Sequence, residues 1–292
     1  MLATNTYTKV TVAAKLEPKD VTYPQLKAEY EIYELLGSET PGFIKIYHYG
    51  PCNKMYNALI MELLGPDLDD LFMGCRAQFS HKTVLMIARQ TLELLRYVHG
   101  KDIIYRDVKP ENFCIGHRFQ NKEKVIHIID FGLSKLQQEM AVPDNDDNVI
   151  YGYLVGTARY MSVNAHYGVV QSKRDDLESL GYMYIYFLTG KLPWMGLSKV
   201  EVEKLVDHYR DIGKIKEATA PEQLAESYPE MVAYMNYVKK LKFREEPDYD
   251  YVLGLMKNAF EEKQYEYDCI FDWNDLMNKK LLGDTIELDP DD

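Results

Sequence analysis

The chain has 292 residues, 46% of them hydrophobic and 27% charged, which is enough apolar material for one large domain or two ordinary ones and too much for a disordered or fibrous protein. A formal net charge of -12 argues against a nucleic-acid groove, because phosphate binding needs clustered Lys and Arg. Cys52, Cys75, Cys114 and Cys269 lie too far apart for a metal-ligand pair or a disulfide framework, and no apolar run reaches the ~18 residues of a membrane span, so an intracellular protein with no membrane or lipid anchor is expected.

In chain order, Tyr7 to Leu16 is rich in Val, Thr and Ala and reads as a strand. Leu26, Tyr30, Tyr33 and Leu36 then recur at helical spacing and stop at Gly37, and strands follow around Phe43 to Gly50 and Asn57 to Met61. Ser80 reads as the cap of a helix whose apolar face carries Val84, Ile87, Ala88, Leu95 and Val98 and which stops near Gly100. Phe113 to Ile115 and Val125 to Ile129 predict a hairpin around Asn121. Asp176 to Leu188 is apolar nearly all round, so it predicts a helix at the centre of a larger lobe, with further helices over 199–276. The acidic C-terminus reads as a short solvated tail.

Three motifs carry chemistry. Tyr105 to Asn112 places Asp107 and Asn112 five positions apart between the helix and the hairpin. Phosphoryl transfer needs a carboxylate to orient the attacking hydroxyl and take its proton, and an amide oxygen to help hold magnesium, so Asp107 is the candidate base and Asn112 a candidate metal ligand. Lys109 can neutralise charge on the transferred phosphate. Asp130, Phe131 and Gly132 follow an apolar strand, where Asp130 can chelate the magnesium between ATP phosphates and Gly132 can supply the backbone turn. Val12, Ala13, Ala14 and Lys15 form the third motif, a strand lysine for the alpha and beta phosphates with Glu29 on the next helix as its partner.

Across roughly residues 4 to 276 the chain resembles the casein kinase I family of Ser/Thr protein kinases. Besides the motifs above it has Met61 to Pro66, Gly156 to Tyr160, Arg174 to Gly181, Leu192 to Trp194 and Phe271 to Trp273, and it has Ser162, Val163, Asn164 where most kinases have Ala, Pro, Glu. The resemblance implies an α+β, bilobal protein-kinase fold: a kinase domain over 1–276, with a small antiparallel-sheet N-lobe (1–62) and a large helical C-lobe (63–276), before the tail 277–292. It implies ATP and Mg2+ as cofactors, and nucleotide contacts from Ala13, Lys15, Met61, Glu62, Leu64 and Asp67. Met61 would stand behind the adenine, with Glu62 and Leu64 giving hinge hydrogen bonds; by periodicity alone Met61 and Leu64 read equally as core residues. Lys15, Glu29, Asp107 and Lys109 would be catalytic, and Asn112 and Asp130 would hold metal. Thr157 and Arg159 would meet the substrate, and Asp176 would brace the catalytic loop. Implied partners are protein substrates with acidic or phospho-primed Ser or Thr sites, met by a monomer in the nucleus or cytoplasm. Relatives of this kind act in DNA-damage responses, trafficking and cell-cycle control.

The sequence departs from that pattern at its start, where only fourteen residues precede Lys15 and no glycine occurs before Gly37. The first strand and the glycine-rich, phosphate-covering turn are therefore expected to be absent. A reading frame that starts late, an impaired enzyme, or a scaffold built on the same fold would each account for this. Tyr105 replaces the usual His, whose ring mainly packs under the loop. Gly152 and His208 fall where the family has lysines, and Asp144 to Asp147 adds negative charge, so a weakened preference for primed substrates is expected.

Overall fold

The computed structural model describes residues 1–140, 154–196 and 205–274. The readings at Gly152, at Asp144 to Asp147 and for the tail 277–292 lie outside these residues.

The first part is an antiparallel sheet with one helix. Strands β1 (Leu2–Thr4), β2 (Thr11–Pro18), β3 (Ile46–Pro51) and β4 (Tyr56–Met61) pair in the order β1-β2-β4-β3. The strand expected from Tyr7 starts only at Thr11. The Asn5 side chain accepts hydrogen bonds from the N–H groups of Tyr7 (2.9 Å) and Thr8 (3.0 Å), which folds those residues into the hairpin turn. The strand expected from Phe43 likewise starts at Ile46, because the Gly42 carbonyl is already taken by Ile128 N (3.1 Å) in the other half of the molecule, and Phe43 and Ile44 are buried before the sheet begins. Helix α1 (Leu26–Leu36) buries Leu26, Ile32, Tyr33 and Leu36, and buries Glu29 among them. A charged residue on a buried stripe requires a partner, and that requirement ties this helix to the sheet.

The second part is mainly helical. After α2 (Leu68–Gly74), the long α3 (His81–Gly100) and the central α5 (Lys173–Thr189) form its core. Ser80 caps α3 through Thr83 N, and fifteen residues of α5, Lys173 and Asp175 to Leu188, are buried. The start expected at Asp176 lies one turn earlier, since Asp175 accepts from Ser172 N (2.7 Å) and closes the first turn. Short α4 (Val163–His166), α6 (Leu205–Ala218), α7 (Pro221–Leu224), α8 (Pro229–Val238) and α9 (Tyr249–Glu262) surround it. Two small antiparallel pairs, β5 (Ile103–Ile104) with β8 (Lys135–Leu136) and β6 (Phe113–Ile115) with β7 (Ile126–Ile128), lie between α3 and α4 in the chain. The linking segment is anchored to β6 by Gly65 N to Ile115 O (2.9 Å) and Ile115 N to Pro66 O (3.0 Å). That anchoring sets the sheet above the loops that follow β5 and β7.

Candidate active site

The loop after β5 takes its shape from one carboxylate. Asp176, 1% exposed, accepts from Tyr105 N (2.8 Å), Arg106 N (2.7 Å) and His99 Nε2 (2.8 Å). Two successive N–H groups converging on one side chain turn the backbone sharply, and Arg106 takes a left-handed φ of 70°. The turn delivers Asp107 to a cluster of donors. Its Oδ1 accepts from Thr157 Oγ1 (3.1 Å) and its Oδ2 from Lys109 Nζ (2.7 Å) and Asn112 Nδ2 (3.1 Å), while Asn112 Nδ2 also holds the Asp107 carbonyl (2.8 Å). Lys109 and Asn112 from its own motif and Thr157 from the segment Gly156 to Tyr160 therefore meet on the Asp107 carboxylate.

The second group forms around Lys15. Its Nζ donates to Glu29 Oε2 (2.7 Å) and Asp130 Oδ1 (2.8 Å), joining strand, helix and the loop after β7. Burial pushes Glu29 up against the opposing pull of Lys15. Burial works to raise Asp130 as well, but there the Lys15 ammonium, helped by the more distant Lys109 charge, outweighs it and holds the carboxyl below the usual range. Burial works to lower Lys15, and the two carboxylates more than offset it. All three groups are thereby kept in position to act as fixed charges, with Lys15 and Asp130 still about two-fifths exposed at 42% and 43%.

The turn at Asp130 is made differently from the sequence reading. Asp130 itself, not Gly132, adopts positive φ (61°). Gly132 instead eases the space beside that carboxylate: a Cβ there would lie 3.2 Å from Asp130 Oδ1, which would have to give by a few tenths of an ångström. Tyr105, in the position usual for His, does pack under the loop. Its ring meets Phe131 edge-on (centroids 5.3 Å) and its hydroxyl donates to the Ile129 carbonyl. Arg106 Nε adds a bond to Leu133 O (2.6 Å), which ties the two loops together.

The remaining expected positions lie on the sheet, the linking segment and the segment that carries Thr157. Ala13 pairs across the sheet with Met61 and Lys15 with Leu59, which puts Ala13, Lys15 and Met61 on one face. The Glu62 carboxylate points away to structural work, binding Lys122 Nζ and accepting from Lys45 N (3.1 Å). Leu64 is partly buried against the core. Asp67 caps α2 through Asp70 N (2.9 Å), and burial raises its carboxyl. The Arg159 guanidinium lies over Tyr186 (5.1 Å) and Tyr160 (5.8 Å).

The family model of the protein kinase domain matches residues 1–253. The chain belongs to the protein kinase family. Within it the chain is of the casein kinase I type: it is 43% identical over 270 residues to casein kinase I homolog 3 of Schizosaccharomyces pombe, covering 92% of this chain and 60% of that protein. It is 41% identical over 278 residues to casein kinase I homolog 1 of the same yeast, covering 95% of this chain and 61% of that protein. The chain thus spans about three fifths of the length of these curated relatives. The sheet-bearing and helical halves are the two lobes of the bilobal kinase fold.

Two residues of this kinase site escaped sequence reasoning. Tyr33 sat in the apolar stripe of α1 and read as core, yet its hydroxyl accepts from Asp130 N (3.0 Å). His99 was not singled out at all, yet it links Asp176 to the Tyr249 hydroxyl. A polar atom on a buried stripe was the signal available for each.

Proposed function

We propose that this chain transfers the gamma phosphate of ATP to Ser or Thr of protein substrates. The observation that carries this reading is the pair of hydrogen bonds that Lys15 donates to Glu29 and Asp130, residues brought together from three separate elements while Asp107 is aimed by Thr157, Lys109 and Asn112. Lys15 grips phosphate oxygens, Asp107 orients the substrate hydroxyl and accepts its proton, and Lys109 balances charge beside it. Ala13, Met61, the Glu62 carbonyl and the Leu64 amide are the nucleotide contacts, and Asp67 serves near the ribose.

Asp130 and Asn112 would hold magnesium. Among the described residues no three His, Cys, Asp or Glu side chains converge to ligate a metal alone. That suits Mg2+, which takes one or two protein oxygens and completes its shell with phosphate and water. When bound, the ion neutralises charge on the phosphates. Asp130 is prepared for it by Tyr33 and Gly132, whose groups fix the backbone and one carboxylate oxygen.

For substrates, Arg159 supports recognition of an acidic or phosphorylated side chain near the accepting Ser or Thr. His208, partly buried on α6, offers less charge there than a lysine, and this favours a weakened preference for primed sites. The four free cysteines fit action in a reducing compartment, nuclear or cytoplasmic, and we take residues 1–276 as the catalytic domain with its lobe boundary after Glu62.

The test is phosphate transfer from ATP and Mg2+ to acidic Ser/Thr peptides, plain and primed. Asp130→Asn is expected to abolish transfer. Full activity in that variant would defeat the assignment, and an undiminished preference for primed peptide would defeat the finer one.

A further inference from the structure

Residues 156–161 carry Thr157, which donates to Asp107, and Arg159, and one side chain holds their backbone from behind. Lys216, on α6, is 0% exposed, and its Nζ lies 3.0 Å from the Ala158 carbonyl, 3.2 Å from that of Arg159 and 2.7 Å from that of Met161. Three acceptors around one nitrogen match the three N–H groups of an ammonium, whereas a neutral amine could donate to only two of them. The nitrogen also stands 4.8 Å from the ring centroids of Tyr182 and of Trp194, so aromatic faces supply part of what water would. Burial pushes the Lys216 pKa well down, and the charge of Glu178 opposes it. Trp194 Nε1 gives the Arg159 carbonyl a second donor (2.8 Å).

A charge held this deep is costly, and an apolar chain of the same volume would fill the space without that cost. What the ammonium adds is geometric: it ties three carbonyls of a segment that has no regular secondary structure of its own. At the other end of this segment Gly156 has φ 112°, and a Cβ there would meet the Arg106 carbonyl at 3.0 Å. The segment is thus fixed against the catalytic loop at one end and against Lys216 at the other.

We propose that Lys216 is a positioning residue for the protein substrate: by fixing the carbonyls of Ala158, Arg159 and Met161 it sets Thr157 against Asp107 and presents the Arg159 guanidinium to the incoming peptide. The inference rests on the phosphate-transfer reading above. It predicts that Lys216 governs peptide recognition far more than nucleotide recognition.

The test compares Lys216→Met in the full chain with Lys214→Met, a charge control on the exposed side of the same helix. Lys216→Met is expected to raise the KM for a peptide substrate about tenfold while the KM for ATP stays within about twofold. Lys214→Met is expected to match the parent. An unchanged peptide KM in folded Lys216→Met overturns the proposal. If that variant does not fold, Trp194→Phe decides: withdrawing one donor from the Arg159 carbonyl should raise peptide KM alone by about threefold, and no rise overturns the proposal. A readout independent of turnover separates this inference from the reading it rests on. The Tyr160 and Met161 amides both donate to the Thr157 carbonyl at 2.9 Å, and their hydrogen exchange should accelerate in Lys216→Met or Trp194→Phe even if the parent transfers no phosphate. Unchanged exchange counts against Lys216 whatever the activity.

Discussion

Arg106 and Asp130 both occupy left-handed backbone, at φ 70° and 61°. For residues with a side chain this costs about 1–2 kcal/mol each, and only surrounding bonds sustain it. At Arg106 the cost is offset by Asp176, and at Asp130 by the Tyr33 hydroxyl, which receives the Asp130 N–H. Tyr33→Phe removes that acceptor and nothing else. It should destabilise the fold by about 1 kcal/mol in denaturant titration and lower kcat for phosphate transfer, with the ring still packed edge-on against Phe131. Wild-type stability together with wild-type kcat would show that the hydroxyl has no part in setting Asp130.

The long α3 shows the same economy at the scale of an element. Its first turn is satisfied by Ser80 Oγ, which accepts from Thr83 N (3.2 Å) and donates to Asp272 Oδ1 (2.8 Å), while Asp272 also accepts from Ser80 N (2.5 Å). Residues 192 positions apart thus close one helix end, and the adjoining Trp273 packs on Phe79 (5.4 Å) to seal it. Ser80→Ala should cost about 1 kcal/mol, seen as a lower denaturation midpoint with an unchanged slope. No change in midpoint would mean that Asp272 alone caps the helix. Helix α1 illustrates the converse: its stripe carries Glu29 at 1% exposure, a position that only the strand lysine fourteen residues earlier makes tolerable.

Across the whole molecule, α4 and α6 pack closely enough that a Cβ on Gly213 would lie 2.8 Å from His166 Cβ. His166 is 0% exposed, and burial, followed by the charges of Lys216 and, more weakly, His208, takes its pKa down to about 3. An unfolded imidazole titrates near ~6.5. Below that pH the unfolded chain gains a proton that the folded one refuses, so the stability present above ~6.5 is lost as pH falls toward 3, at about 1.4 kcal/mol per unit. The difference in stability between pH 7 and pH 5 should therefore shrink by about 2 kcal/mol in His166→Gln. An unaltered pH slope would show that His166 is protonated in the folded state.

Most of the elements and every motif of the candidate site were legible in order along the chain, because periodicity, caps and chemistry-bearing spacings are local properties. Asp107 with Asn112, and Asp130 behind its strand, could be recognised for that reason. The strand that starts at Thr11 rather than Tyr7, the turn carried by Asp130 rather than Gly132, and the contacts of Tyr33, His99 and Lys216 were decided only by tertiary structure. Each depends on a partner distant in sequence or on a side-chain bond to backbone, and a buried polar atom has no preferred partner until folding removes water and leaves one within reach.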